Sequence, residues 1–260
     1  MNELELTTAS EAVRSEQPSQ GMALRALALA GVGALALGAL NASPAQAISP
    51  ALRFADIPGT GDIKVLNYAL ALEDLETEAY VQAVQRLTRG GSGGRDAVPG
   101  TRIPGLGLST NERDVSLLTR FTRVESQHRD FLRGAVGPSA IRPFNYNFNI
   151  ATLSRAQVLN LIYMLELGGT RAYLGAIPFF ATKRFVQTAA AIQGTEARHT
   201  AILADLFNDI AGAAVQPTPP QGALPGEREA FASPDQTLAM VSPYIVRPSA
   251  TAGSTPIAVP

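Results

Sequence analysis

Leu66-Asn67-Tyr68-Ala69-Leu70-Ala71-Leu72-Glu73-Asp74-Leu75-Glu76-Thr77-Glu78-Ala79-Tyr80 carries the pattern that decides the fold. It returns 93 residues later as Leu159-Asn160-Leu161-Ile162-Tyr163-Met164-Leu165-Glu166-Leu167-Gly168-Gly169-Thr170-Arg171-Ala172-Tyr173, with seven of 15 positions identical and no gap. In each copy a glutamate, Glu73 or Glu166, stands inside an otherwise apolar stretch. A tyrosine, Tyr80 or Tyr173, follows seven residues on. Seven residues is close to two helical turns, so glutamate and tyrosine share a face. The repeat predicts one supersecondary unit used twice.

Each copy is followed by one further motif. The chain has two histidines, and each sits three residues after a glutamate: Glu125-Ser126-Gln127-His128 and Glu196-Ala197-Arg198-His199. On a helix, positions i and i+3 lie one turn apart on one face, so each pair can aim a carboxylate and an imidazole at one point. With 13 glutamates in the chain, each such match has a chance of roughly one in twenty from composition alone. Two out of two therefore points to a metal site. Either pair taken alone would read as a surface helix with a local ion pair. The order Glu, Glu-x-x-His, Glu, Glu-x-x-His predicts a doubled helical hairpin.

Composition narrows the function. Net charge is −1, so no broad basic field points to nucleic acid. There is no cysteine, which excludes disulfides and thiolate metal sites. Residues 1–47 read as a leader. A basic start at Met22 to Arg25, an apolar run from Ala26 to Leu40 and an Ala45-Gln46-Ala47 end describe a secretory signal peptide cleaved after Ala47. Met22 is a candidate true start. The apolar run is short for a membrane span, so a membrane partner is expected only if the leader stays uncleaved. The expected location is outside the cytoplasm, as a periplasmic, envelope or extracellular protein.

After a lead-in at 48–61, the bundle is expected over 62–211. Helix one is predicted from an N-cap at Asp62 to about Thr88, followed by a Gly-rich loop over 90–108. Helix two should open on a capping box at Ser109 to Glu112 and stop near Gly134 or Gly137. An aromatic connection from Ile141 to Ala151 then crosses the end or side of the bundle. Helix three opens on a capping box at Ser154 to Gln157, and helix four spans about Lys183 to Ile210. The tail over 212–260 is Pro-rich, with a short helix near 233–241 that opens on Ser233-Pro234-Asp235-Gln236. The fold class is all-α: an antiparallel four-helix bundle with a long crossover between helices two and three, and a short C-terminal helix.

Facing helices can place Glu73, Glu125, Glu166 and Glu196 around the bundle axis. Four carboxylates in an apolar interior repel one another. Two divalent cations cancel that charge, with His128 and His199 as neutral imidazole donors, one per ion. Oxygen and nitrogen donors without sulfur favour iron or manganese. Zinc normally takes four ligands, unlike a dinuclear six-ligand set. Tyr80 and Tyr173 are either hydrogen-bond donors to a ligating carboxylate or amphipathic core tyrosines. Glu76 lies one turn from Glu73. It is either a seventh ligand or a solvated or ion-paired residue, and the second reading is favoured because Gly169 stands at the equivalent repeat position. Arg123, Arg129 and Arg198 are expected to be solvated or paired with acids such as Asp130 and Asp205.

The stretch from Leu66 to Glu76, the segment Gly194-Thr195-Glu196-Ala197-Arg198-His199 and the tail around Phe231 to Ile245 resemble ferritin-like domain proteins, specifically the exported group that includes the desiccation-related proteins. The likeness covers nearly all of residues 60–245. It implies that Glu73, Glu125, His128, Glu166, Glu196 and His199 are dimetal ligands for two iron or manganese ions. It also implies a small inorganic substrate, namely ferrous iron, oxygen or peroxide. Two functions stay open: a dimetal oxidoreductase, ferroxidase-like or manganese-catalase-like, or a structural, desiccation-protective envelope protein whose metal only ties the helices together. A homo-oligomer is compatible with either; a storage cage would require a closed shell of many subunits.

Overall fold

The computed structural model describes residues 51–217, 223–225 and 228–246. The expected leader, its cleavage after Ala47, part of the Pro-rich stretch and the last dozen residues lie outside the described residues. Four long helices make the body: α1 (Gly61–Leu87), α2 (Arg113–Val136), α3 (Arg155–Ala176) and α4 (Lys183–Ala211). A short helix, α5 (Pro234–Val241), follows. Two two-residue antiparallel ladders decorate them, β1 (Gly90–Gly91) with β2 (Ile103–Pro104) and β3 (Asn145–Tyr146) with β4 (Ile245–Val246). Among the described residues no helix is long and apolar enough to cross a membrane.

The two repeats become the two central helices, and both are sheathed almost all round. From Val65 to Tyr80 every residue of α1 is buried, and α3 is buried at nearly every position from Val158 to Tyr173. The outer helices α2 and α4 bury one stripe each, at Val115, Leu118, Phe121 and Leu132 and at Ala189, Ile192, Leu203 and Leu206. That is the burial expected of helices that cover a core from one side. One apolar cluster joins Leu66 and Leu70 to Leu132, Val136, Tyr173 and Ile192.

Chain direction follows from the contacts. Arg133, late in α2, grips Asp74 in the middle of α1 at 2.6 and 2.8 Å, and α2 runs antiparallel to α1. Tyr80 reaches Glu166 while Tyr173 reaches Glu73, so α1 and α3 are also antiparallel. Hence α2 and α3 are parallel, and the segment joining them must travel the length of the bundle. It runs along the side of α1. The Asn67 side chain donates to Ser139 O at 2.9 Å and accepts from Ile141 N at 2.8 Å. The Tyr146 hydroxyl donates to Ala71 O at 3.3 Å, and Arg86 Nε donates to Leu153 O at 2.8 Å.

Two local expectations need correction. Asp62 does not cap α1: the cap position is Thr60, and the Asp62 carboxylate instead accepts Ala181 N and Thr182 N at 2.7 and 3.1 Å, tying the start of α1 to the α3–α4 turn. The Ser109 capping box does not form, because α2 starts later, with Glu112 at its cap, and Ser109 Oγ closes a tight turn by accepting Asn111 N. The flanking arginines fit their expectation: Arg129 pairs with Asp130 at 2.8 Å and Arg198 is exposed, while Asp205 pairs with Arg113. Both boxes that end in glutamine, Ser154–Gln157 and Ser233–Gln236, form as expected.

The tail is packed against the bundle. A Cβ at Gly175 would stand 1.7 Å from Ala232 O, and one at Gly168 would stand 2.4 Å from Met240 Cε. These two glycines let α5 and the segment before it lie directly on the α3 backbone, where Ala232 N donates to Arg171 O at 3.1 Å.

Candidate metal centre

Each helix delivers its acid at the same level of the bundle. Glu73 comes from α1, Glu125 from α2, Glu166 from α3 and Glu196 from α4, and all four are fully buried. His128 and His199 lie one turn beyond Glu125 and Glu196, as the i,i+3 spacing requires. His199 is held flat against Phe121, with ring centroids 3.9 Å apart. The His128 side chain keeps 14% of its surface exposed.

The six side chains meet in two groups that could hold a metal ion. Donor atoms of Glu73, Glu125, His128 and Glu196 all lie within 4.8 Å of one another, and so do those of Glu125, Glu166 and His199. Glu125 belongs to both. His128 Nδ1 stands 3.0 Å from Glu125 Oε2, 3.3 Å from Glu196 Oε1 and 3.6 Å from Glu73 Oε2. His199 Nδ1 stands 2.8 Å from Glu125 Oε1 and 3.2 Å from Glu166 Oε1. Two donors at right angles around an ion, each about 2.1 Å from it, are about 3 Å apart, which is the spacing found.

These short approaches are mostly not hydrogen bonds. Glu73 Oε2, Glu125 Oε1, Glu166 Oε2 and both oxygens of Glu196 are buried with no hydrogen-bond partner. Buried carboxylate oxygens without partners are rare and need a reason. A cation among them supplies one.

The electrostatics agree. Burial pushes the Glu73 carboxyl up to about 8, helped by Glu196 and Glu125 and opposed by His128. Burial raises Glu166 and Glu196 as well, with neighbouring glutamates adding to it. Burial also acts on Glu125, but the close approach of the His128 and His199 rings outweighs it and holds that carboxyl low. Burial disfavours charge on His128, yet the neighbouring carboxylates of Glu125, Glu196 and Glu73 prevail and push it up to about 12. Without an ion, the pocket gathers protons to offset its own negative charge.

The tyrosines cross between repeats. Tyr80 donates to Glu166 Oε1, and Tyr173 donates to Glu73 Oε1 at 2.5 Å. Each tyrosine therefore serves the glutamate of the other repeat, because α1 and α3 are antiparallel. Their hydroxyls stay protonated: burial raises both far above the usual range, and nearby glutamates raise them further. Tyr80 and Tyr173 thus fix the rotamers of Glu166 and Glu73 as permanent donors.

Glu76 departs from the favoured expectation. It is neither solvated nor ion-paired: it is 4% exposed, and its Oε2 has no hydrogen-bond partner. Its sequence signal was the one-turn spacing from Glu73, which the absence of a matching acid in the second repeat obscured.

Residues 61–209 match the family model described as a ferritin-like domain. No curated protein matches the chain at a significant level.

Proposed function

The chain belongs to the ferritin-like domain family, and from that membership and its Glu/His cluster we propose that it is a dimetal oxidoreductase. Two iron or manganese ions would be held, one by Glu73, Glu125, His128 and Glu196 and the other by Glu125, Glu166 and His199. Glu125 belongs to both groups. One observation carries the reading: six donors from four helices converge on adjacent groups that share Glu125. Iron or manganese follows from the sulfur-free oxygen and nitrogen donor set.

Bound there, such ions would supply one-electron steps toward oxygen or peroxide, as a ferroxidase or a peroxide-consuming enzyme does. The protein's own residues do the rest. Tyr173 and Tyr80 orient Glu73 and Glu166. The buried walls of α1 and α3 exclude bulk water. Phe121 fixes the His199 ring plane. The partly exposed edge of His128 marks the side nearest solvent, suited to a small inorganic substrate.

The signal-like composition of residues 22–47 and the resemblance to the exported, desiccation-related group support a protective role outside the cytoplasm. The test is to load purified protein with ferrous iron or manganese and follow oxygen uptake and peroxide loss. Turnover with either metal supports the proposal. A bound metal that never changes oxidation state with oxygen or peroxide would favour the structural reading, in which the ions only tie four helices together.

A further inference from the structure

Among the described residues, Glu76 is a buried acid beside the six donors that the proposed function leaves without work. A carboxylate enclosed in a core without a partner is costly, and its presence calls for a compensating group. No hydrogen bond or ion pair from a basic side chain reaches it among the described residues, and His128 acts on it only at longer range. It lines a narrow crevice between α1, α3 and α5 together with Leu72, Leu165, Gly168, Thr237 and Met240, none of them basic. Its Oε2 is orphaned.

Gly169 explains how Glu76 fits. In the repeat alignment, Gly169 stands where the first repeat has Glu76. A Cβ at Gly169 would meet Glu76 Oε1 at 2.8 Å and Glu196 Oε2 at 3.0 Å. The two carboxylates therefore border one small space that any larger residue would fill. Glu196 Oε2 is itself without a hydrogen-bond partner. Glu76 falls outside the tight donor groups as they stand, and meets the centre at Glu196.

We propose that Glu76 is a fifth carboxylate of the metal centre, swinging on metal loading to bind the ion held by Glu73, Glu125, His128 and Glu196, and that Gly169 exists to make room for it. This rests on the dinuclear reading above. It makes the two positions unequal despite the repeat, because the His128 side gains an anionic donor that the His199 side lacks. Five carboxylates also exceed the charge of two divalent ions by one, which favours a more highly charged ion on the His128 side.

The test is manganese(II) binding to metal-free protein, by competition against a chelating dye, for wild type, Glu76→Gln and Gly169→Ala. Thermal melts of the metal-free forms check folding. Wild type should bind two ions. Glu76→Gln should fold at least as stably as wild type without metal, still bind two ions, and bind one of them at least tenfold more weakly. Gly169→Ala, which pushes a methyl between the two carboxylates, should weaken the same ion. Wild-type affinity for both ions in Glu76→Gln overturns the proposal while leaving the dinuclear reading standing. Failure of wild type itself to take two ions overturns both.

Discussion

Raising the pH from 5 to 8 should destabilise the metal-free protein, which is the reverse of the behaviour expected once metal is bound. Glu73 has an ordinary value of 4.5 and is pushed up to about 8, first by burial and then by Glu196 and Glu125. The native state keeps a proton there that the unfolded chain releases. Stability from this group is therefore complete below 4.5 and lost as pH rises through about 8. Each retained proton costs about 1.4 kcal/mol per pH unit across that window, or about 3 to 4 kcal/mol from pH 5 to 8. His128 acts in the same direction: with an ordinary value of 6.5 and a folded value of about 12, its contribution declines from pH 6.5 upward. Glu125 has the opposite sign, but its contribution is lost only below its ordinary value of 4.5, outside this range. Metal displaces these protons, so in loaded protein higher pH strengthens binding and raises stability. Denaturant unfolding at pH 5, 6, 7 and 8, with chelator and then with manganese, measures both slopes. A metal-free stability that is flat or rises over this range would refute the reasoning, as would an unchanged slope in Glu73→Gln.

Glu166→Ala and His199→Ala should each lose one ion per chain in elemental analysis and give up part of the metal-induced rise in melting temperature; unchanged stoichiometry in both would count against the ligand assignment. Tyr173→Phe should still bind two ions. It leaves Glu73 Oε1 without its donor, costing about 1 to 3 kcal/mol of metal-free stability in a denaturant melt and changing the reactivity of loaded protein. Gly175→Ala should destabilise the fold by about 1 to 3 kcal/mol, because its methyl would overlap Ala232 O and lift α5 from α3; a thermal melt checks it.

Most of the bundle was legible because its signals are local. The repeat at 66–80 and 159–173 marked the two inner helices, and i,i+3 spacing marked the two donor pairs on the outer ones. Periodicity put helix one from an N-cap at Asp62 to about Thr88, and α1 spans Gly61–Leu87. What escaped is what depends on neighbours. Asp62 looked like a cap, but a partner turn at Ala181 and Thr182 claimed its carboxylate. Ser109 looked like a capping box, but the helix began later. Face-sharing between Glu73 and Tyr80 was visible in sequence; that each tyrosine crosses to the other repeat depends on α1 and α3 running antiparallel. Glu76 looked dispensable because Gly169 lacks an acid, whereas that glycine is what gives Glu76 its space. Docking of α5 was hidden too, since nothing local to Gly168 and Gly175 shows that the tail lies on them.

Anomalous diffraction at the iron and manganese edges, from crystals of loaded protein, is the most direct check. Two peaks per chain are expected, one among Glu73, Glu125, His128 and Glu196 and the other among Glu125, Glu166 and His199. A single peak, or density bound away from these side chains, would contradict the dinuclear centre.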